Sequence, residues 1–359
     1  MRSPTFKWTS LLFVAATFVA VAFGPAQAAE KTSFKVCWSI YVGWMPWGQM
    51  VDDGTLKKWA DKYGIKIDVV QINDYVESIN QYTAGKFDGC AMTNMDALTI
   101  PAAGGVDSTS LIVGDFSNGN DGIVIKNGKS LLDLKGRKIN LVEFSVSHYL
   151  LARALEVAGL TERDVTTVNT SDADIVGAFT GSADVDAVVT WNPQLSDITA
   201  VPGATKVFNS SQIPGEIIDL MVVNTQTLKD NPKLGKALIG AWYESIALMK
   251  AQTPAGKAAR EAMAKASGTD LAGFESQLST TRMFYSPKEA VEFNQSQDLM
   301  KTMDYVRSFS FDHSLLGDAA KSKDAVGIAL PGGKILGDKA NVKLRFDPSF
   351  MQQAVDGKL

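Results

Sequence analysis

The chain reads as an α/β protein built in two lobes. Three observations predict this: apolar strand-like runs alternate with helical segments, the alternation starts afresh past Gly122, and the text after Thr225 is mostly helical. A content of 45% hydrophobic and 21% charged residues over 359 positions supports a packed core of one large or two medium domains. Two cysteines exclude a disulfide scaffold and any four-cysteine zinc site, and two histidines exclude a His-rich metal protein. A net charge of −4 argues against nucleic acid as partner.

The segment 1–28 reads as a secretory signal peptide. Arg2 and Lys7 form a basic start, Leu11 to Phe23 is apolar, and Ala26-Gln27-Ala28 is a small-residue cleavage site before Ala29. The apolar run falls short of the roughly 20 residues that span a bilayer, and no later segment is long and apolar enough. An exported, soluble chain is expected, with no direct membrane insertion.

The first unit runs from a strand at 34–40 through an aromatic loop and a helix over about 47–62, which Gly64 ends. Residues 65–70 are the second strand. Asp74-Tyr75-Val76-Glu77 has the N-cap and N3 acid of a capping box, and its helix runs to Ala84. A strand around Cys90, a helix over 94–103 and a strand at 110–113 follow. Such a βαβαβ run implies a parallel sheet with right-handed crossovers. The second unit has strands at 139–142, 165–168 and 187–190, with helices over 147–158 and 173–179, and Val207-Phe208 and Leu220–Val223 complete it. Helices are expected over 228–251, 255–266 and 286–308, and 332–343 is expected to be irregular. Lobe 1 would comprise 29–122 plus 224–359 and lobe 2 residues 123–223, with chain crossings near 121–125 and 221–225. Ligands in such folds sit beyond the carboxyl ends of the strands, here between the lobes. Cys37 and Cys90 read as buried strand residues, and either a disulfide or two unpaired thiols fits.

Asp133-Leu134-Lys135-Gly136-Arg137-Lys138, the helix start Ser147-His148-Tyr149-Leu150-Leu151, Gly159-Leu160-Thr161 and Ala178-Phe179-Thr180-Gly181 before Asp186-Ala187 carry a family resemblance. The chain resembles the periplasmic substrate-binding proteins of nitrate/sulfonate/taurine-type ABC transporters. Tyr41-Val42-Gly43-Trp44-Met45-Pro46-Trp47 and Val189-Thr190-Trp191-Asn192-Pro193-Gln194 are similar to a subgroup associated with urea-carboxylase-type nitrogen pathways, often labelled urea or guanidine transporters. The resemblance implies a type II periplasmic-binding-protein fold with mixed, mainly parallel sheets. It also implies a periplasmic monomer that closes on a small-molecule ligand and delivers it to an ABC permease in the inner membrane, with no cofactor.

The residues themselves suggest a ligand. Tyr41, Trp44 and Trp47 follow the first strand within seven positions; any one of them could be an ordinary core aromatic, but three together suit a cleft wall, whose flat faces fit a small planar ligand and attract cations by roughly 0.5–2 kcal/mol. Glu143 follows the strand 139–142 and is expected at the mouth of the cleft, where a carboxylate would repel an anion but match a guanidinium bidentately. A solvated loop acid or a salt bridge is the alternative. Ser145 and Ser147 keep the small hydroxyl and helix-terminal character that, in anion-binding relatives, serves the ligand. Asn94, Asp96, Glu216 and Asp219 are further candidates; Asp96 could instead be a helix N-terminal acid, and the last two surface-loop acids. Asn192 beside Trp191 could orient an amide or amidine, whereas Trp191 could equally serve as a hinge or core residue. His148 reads as a first-turn helix residue without an acid at a recognisable spacing, and His313 as blander still. The G-x-S-x-G, H-E-x-x-H, C-x-x-C, P-loop and G-x-G-x-x-G patterns are absent, so no catalytic or metal residue is assigned. The expected function is capture of guanidinium for import. Urea, an anion such as nitrate, bicarbonate or a sulfonate, or a hydroxymethylpyrimidine-like aromatic is the alternative within transport, and a receptor-coupled sensor or a periplasmic hydrolase lies outside it.

Overall fold

The structure, a computed structural model, describes Met1 and residues 30–359, so the segment read as a signal peptide lies, but for Met1, outside the described residues. In chain order the strands are β1 (Ser33–Trp38), β2 (Lys66–Gln71), β3 (Gly89–Thr93) and β4 (Ser108–Ser117). Next come β5 (Asp121–Lys126), β6 (Lys138–Leu141), β7 (Thr166–Asn169), β8 (Ala187–Trp191) and β9 (Ala204–Asn209). The last five are β10 (Ile218–Asn224), β11 (Thr281–Met283), β12 (Gly327–Leu330), β13 (Lys334–Leu336) and β14 (Val342–Phe346).

They form two sheets, one per lobe. The first has the order β13-β12-β14-β4-β10-β3-β1-β2, with β11 added on β4, and the second the order β7-β6-β8-β5-β9. β1 runs parallel to β2 and β3, whereas β10 is antiparallel to both β3 and β4. In the second sheet β6 is parallel to β7 and β8, and β5 is antiparallel to β8 and β9. β3 and β8 are buried at every position, as strands covered by helices on both faces must be. This is the α/β arrangement that the alternation of strands and helices predicts, with both sheets mixed rather than parallel because β5 and β10 run antiparallel to their neighbours.

Several elements differ from the expectation, each for a local reason. The helix expected over 47–62 is two, Pro46–Asp52 and Thr55–Lys62, because Gly54 between them takes φ +81°. Leu220–Val223 does not complete the second sheet. It is the core of β10 and lies between β3 and β4 in the first, because an antiparallel return beside β4 buries its wholly apolar run on both faces. The chain therefore crosses between sheets at 117–121 and again at 209–218. Asp121–Lys126 is a strand that the sequence reading left unassigned, and 332–343 is not irregular but contributes β13 and the start of β14. Cys37 and Cys90 are direct partners across β1 and β3, yet both are free and buried, Cys37 giving its S–H to the Ser78 carbonyl at 3.4 Å. No described helix is long and apolar enough to cross a membrane.

Candidate functional site

The cleft between the lobes opens where β1, β3 and β8 end and β5 and β10 begin. Nine residues line a small pocket there: Tyr41, Trp44, Tyr75, Thr93, Ile217 and Asp219 from the first lobe, and Asp121, Val146 and Trp191 from the second. None is more than 6% exposed, so a ligand held among them would be wholly enclosed.

Aromatic rings make the walls. Tyr41 packs edge-on to Trp44 at 5.1 Å between centroids, Trp44 meets Tyr75 at 5.8 Å, and Tyr75 meets Trp191 of the other lobe edge-on at 5.6 Å. The Tyr41 hydroxyl donates to Asp115 Oδ1 at 2.8 Å and lies 3.1 Å from Thr281 Oγ1. Gly43 makes the tight turn between the rings possible. A Cβ there would come within 2.5 Å of the Tyr41 ring and 2.7 Å of Asp115 Oδ2, so no larger residue fits without a shift.

Four carboxyls surround these rings. Asp219 sits at the start of β10, level with Thr93 on β3 and Asp115 on β4, so one row across three strands carries two acids side by side. Asp121 opens β5 opposite Trp191 and accepts from Ser117 Oγ at 2.5 Å. Asp96 stands behind Tyr75, accepting from the Tyr75 hydroxyl at 2.6 Å and Thr93 Oγ1 at 2.8 Å. No lysine, arginine or histidine among the described residues forms an ion pair with any of the four; Asp96 Oδ1 has no hydrogen-bond partner, and the Asp115 and Asp219 carboxyls face each other as a hydrogen-bonded pair. Burial raises every one of these carboxyls: Asp96 to about 6, Asp115 and Asp121 to about 7, and Asp219, with Asp115 and Asp121 repelling its charge, well above the ordinary range. Unpaired buried acids of this kind call for a proton or a cation.

Helix Val146–Val157 starts at the cleft, and its N-terminal amides make a positive pole. Burial, Tyr75 and Thr93 act on Asp96 most strongly, and the Val146 N–H adds a smaller pull toward its charged form.

The residues singled out in the sequence divide three ways. Tyr41, Trp44, Trp191 and Asp219 line the cleft, with Asp96 one layer behind. Trp47 does not reach it: the ring stacks on Trp242 at 5.1 Å in the first lobe's core, because its place on helix Pro46–Asp52 faces helix Pro232–Lys250. Glu143 does not either; it is half-buried at the rim, where Thr167 Oγ1 donates to its carboxylate and Asn169 Oδ1 accepts its amide. Ser145 caps the helix, accepting from the Ser147 amide at 3.1 Å, while Ser147 Oγ is buried without a partner. Asn192 turns its side chain to Ser196 and Thr280, away from the cleft. Asn94 pins the returning chain through the Glu216 carbonyl and the Ile218 amide. Glu216 clasps the other lobe, accepting from Tyr149 at 2.5 Å and Arg153 Nε at 2.9 Å. Tyr75, Thr93, Asp115 and Asp121 were not foreseen. An acid inside the apolar strand Ser110–Phe116 was the available signal for Asp115.

A cleft between two mixed α/β sheets, walled by both and crossed twice by the chain, defines the periplasmic-binding-protein fold. The chain belongs to the NMT1/THI5-like family, with a match over residues 54–255. A Brucella abortus (strain 2308) protein named as a binding protein is 28% identical over 189 residues, 52% of this chain and 58% of that one. The match thus spans a little over half the length of that curated relative. The alkanesulfonate-binding protein SsuA from Xanthomonas axonopodis pv. citri, solved bound to MOPS, superposes with a TM-score of 0.66 at 19% identity, covering 83% of this chain and 99% of that one. The nitrate-binding protein NrtA from Synechocystis PCC 6803 superposes with a TM-score of 0.57 at 12% identity, covering 92% and 99%. At such identities the likeness to the two solved structures shows the fold.

Proposed function

We propose that the protein is the solute-binding component of an ABC importer, working in the periplasm, and that its ligand is a small planar cation, guanidinium or a close analogue. The observation that carries this reading is the group of four buried carboxyls around an aromatic box, none of them paired with a side-chain cation among the described residues. Trp44 and Trp191 offer faces to a flat cation, and Asp219 and Asp121 accept its N–H groups, with Asp115 adding charge from behind. Glu143, expected in that role from the sequence, gives way to Asp219 and Asp121. An anion of the kind named for the similar structures would enter beside these uncompensated acids. Closure on the ligand is the shape change a permease would read.

The ligand's size bounds its affinity. Four heavy atoms at a ceiling of about −1.5 kcal/mol each give roughly −6 kcal/mol, a dissociation constant of some tens of micromolar. Urea is the second reading, favoured by the raised Asp219 carboxyl, which when protonated can donate to a carbonyl oxygen. Titration calorimetry against guanidinium, urea, nitrate, bicarbonate and taurine separates these. Heat with guanidinium alone, and recovery of the compound unchanged, is the expected result; binding of an anion alone refutes the reading.

A further inference from the structure

The chain has two histidines, and both meet one carboxylate. His148 Nε2 lies 2.6 Å from Glu162 Oε1, and His313 Nε2 is hydrogen-bonded to Glu162 Oε2. Glu162 and His148 belong to the second lobe, in the turn Glu162–Asp164 and the helix Val146–Val157. His313 ends the helix Gln297–Asp312, which packs on helix Asn94–Ala97 of the first lobe. The contact therefore joins the lobes.

The ring nitrogens define where the protons sit. The Phe144 amide donates to His148 Nδ1 at 3.2 Å, so that nitrogen carries a lone pair and Nε2 carries the proton directed at Glu162. His313 Nδ1 is 2.8 Å from the Phe309 carbonyl, which only accepts, so Nδ1 is protonated; bonding Glu162 through Nε2 requires a second proton there. His313 is thus an imidazolium, stacked on the Phe309 ring at 4.0 Å. Two imidazoles and a carboxylate with ligand atoms within 4.8 Å would also suit a divalent metal. A metal, however, takes the Nε2 lone pair of His148, and the Phe144 amide puts a proton on that nitrogen.

We propose that Glu162, His148 and His313 are positioning residues that hold the second lobe closed over the captured ligand, and that the hold is made by the doubly protonated His313. This rests on the reading that the ligand is taken up by closure of the cleft. The groups around His313 agree with it. Burial works against its charge, but Glu162, the Phe309 carbonyl and Asp312 outweigh burial and raise its pKa, while burial of Glu162 is outweighed by the two histidines, which lower its carboxyl to about 2. On the same turn Asp164 is engaged by Thr161 and Lys135, and Arg163 is exposed. His313 binds a proton on closing, so the hold is complete below the pKa of a free imidazole and is lost as pH rises through the raised value.

Two measurements test this. Long-range proton–nitrogen NMR of the labelled protein reads both imidazoles, with and without saturating guanidinium chloride. One is expected as the Nε2–H tautomer and one doubly protonated beyond the point where a free imidazole has titrated, both reverting in Glu162→Gln. Calorimetry then follows guanidinium affinity with pH: the wild type should lose about threefold on the alkaline side, as expected of a partly exposed ion pair, and His313→Gln should show no such loss. Free imidazoles under both conditions, or zinc bound by both Nε2 nitrogens, overturn the proposal whether or not guanidinium binds. Histidine signals that respond to Glu162→Gln without any guanidinium heat refute the ligand reading and leave the hold standing.

Discussion

Replacing Asp219 by Asn removes from the cleft a carboxyl that a bound cation would ionise and little else, since the two side chains have nearly the same shape. Asp219 is buried and faces Asp115 across the sheet with no cation beside it, so binding and stability should move in opposite directions. A hydrogen bond to a charged partner contributes about 1.5–3 kcal/mol, which predicts a roughly 10- to 150-fold loss of guanidinium affinity. Urea, with no charge to pair, should lose about two- to twelvefold by the weaker neutral hydrogen bond, less than guanidinium in the same variant. The ligand-free protein should become more stable, because neutralising an unpaired buried acid removes a desolvation cost of about 1–3 kcal/mol, or about 2 °C in Tm per kcal/mol. Calorimetry with both ligands at pH 8 and a thermal scan of each protein check this. Equal losses for guanidinium and urea, or a variant that melts lower than the wild type, would refute the assignment of Asp219 as the cation's partner.

Acidification should weaken cation binding. Asp96, raised to about 6, and Asp115 and Asp121, raised to about 7, hold protons near neutrality that a cation must displace, so guanidinium affinity falls from pH 8 to pH 5 and buffers of different ionisation enthalpy reveal proton release on binding. The same raised values make the ligand-free fold lose stability as pH climbs from the unfolded carboxyl range through 7, so its Tm should be higher at pH 5 than at pH 8. The two tryptophans of the aromatic loop should part company: Trp47→Ala opens the core against Trp242 and costs about 3–5 kcal/mol of stability, read by denaturant unfolding, whereas Trp44→Leu weakens guanidinium by about three- to thirtyfold in calorimetry. Glu143→Gln should leave guanidinium affinity within about twofold, as a rim charge in partial solvent does; a tenfold loss would bring Glu143 into the site.

The alternation of strands and helices carried most of the fold, because buried parallel strands and capped helices are local patterns: Asp74 accepts from the Glu77 amide at 2.9 Å as an N-cap, although Glu77 turns its carboxylate to Gln81 and leaves the capping box half made. What the sequence hid was set by pairing. Nothing local distinguishes β10 as a member of the first sheet, since an apolar run of that length fits the centre of either, and only its antiparallel neighbours β3 and β4 decide. The same non-local step placed the acids. Asp219 was legible as an acid opening a strand, but Asp115 and Asp121 gain their meaning from strands that meet it across the sheet and across the crossing. Glu143 was misplaced because the turn after β6 spends its acid on Thr167. Trp47 was misplaced because a loop rich in aromatics has two sides, and the helix that begins at Pro46 turns that ring inward. His148 lacked a partner at a helical spacing, and its partner Glu162 lies 14 positions on, past the end of the helix.

The crossings also bear on how the molecule is wired. At the point where the chain leaves the first sheet and where it re-enters, Phe116 stands opposite Ile218 and the Ser117 amide donates to the Ile217 carbonyl at 2.9 Å. Seen from the first lobe alone, β4 and β10 are a hairpin whose loop is residues 118–217. Closing such a loop costs only about 3 kcal/mol more than closing a four-residue turn, since the entropy of closure grows with the logarithm of length. The second lobe is therefore a cheap insertion into a finished sheet, and a short turn joining Ser117 to Ile218 should leave a first lobe with its strand order intact and half a cleft.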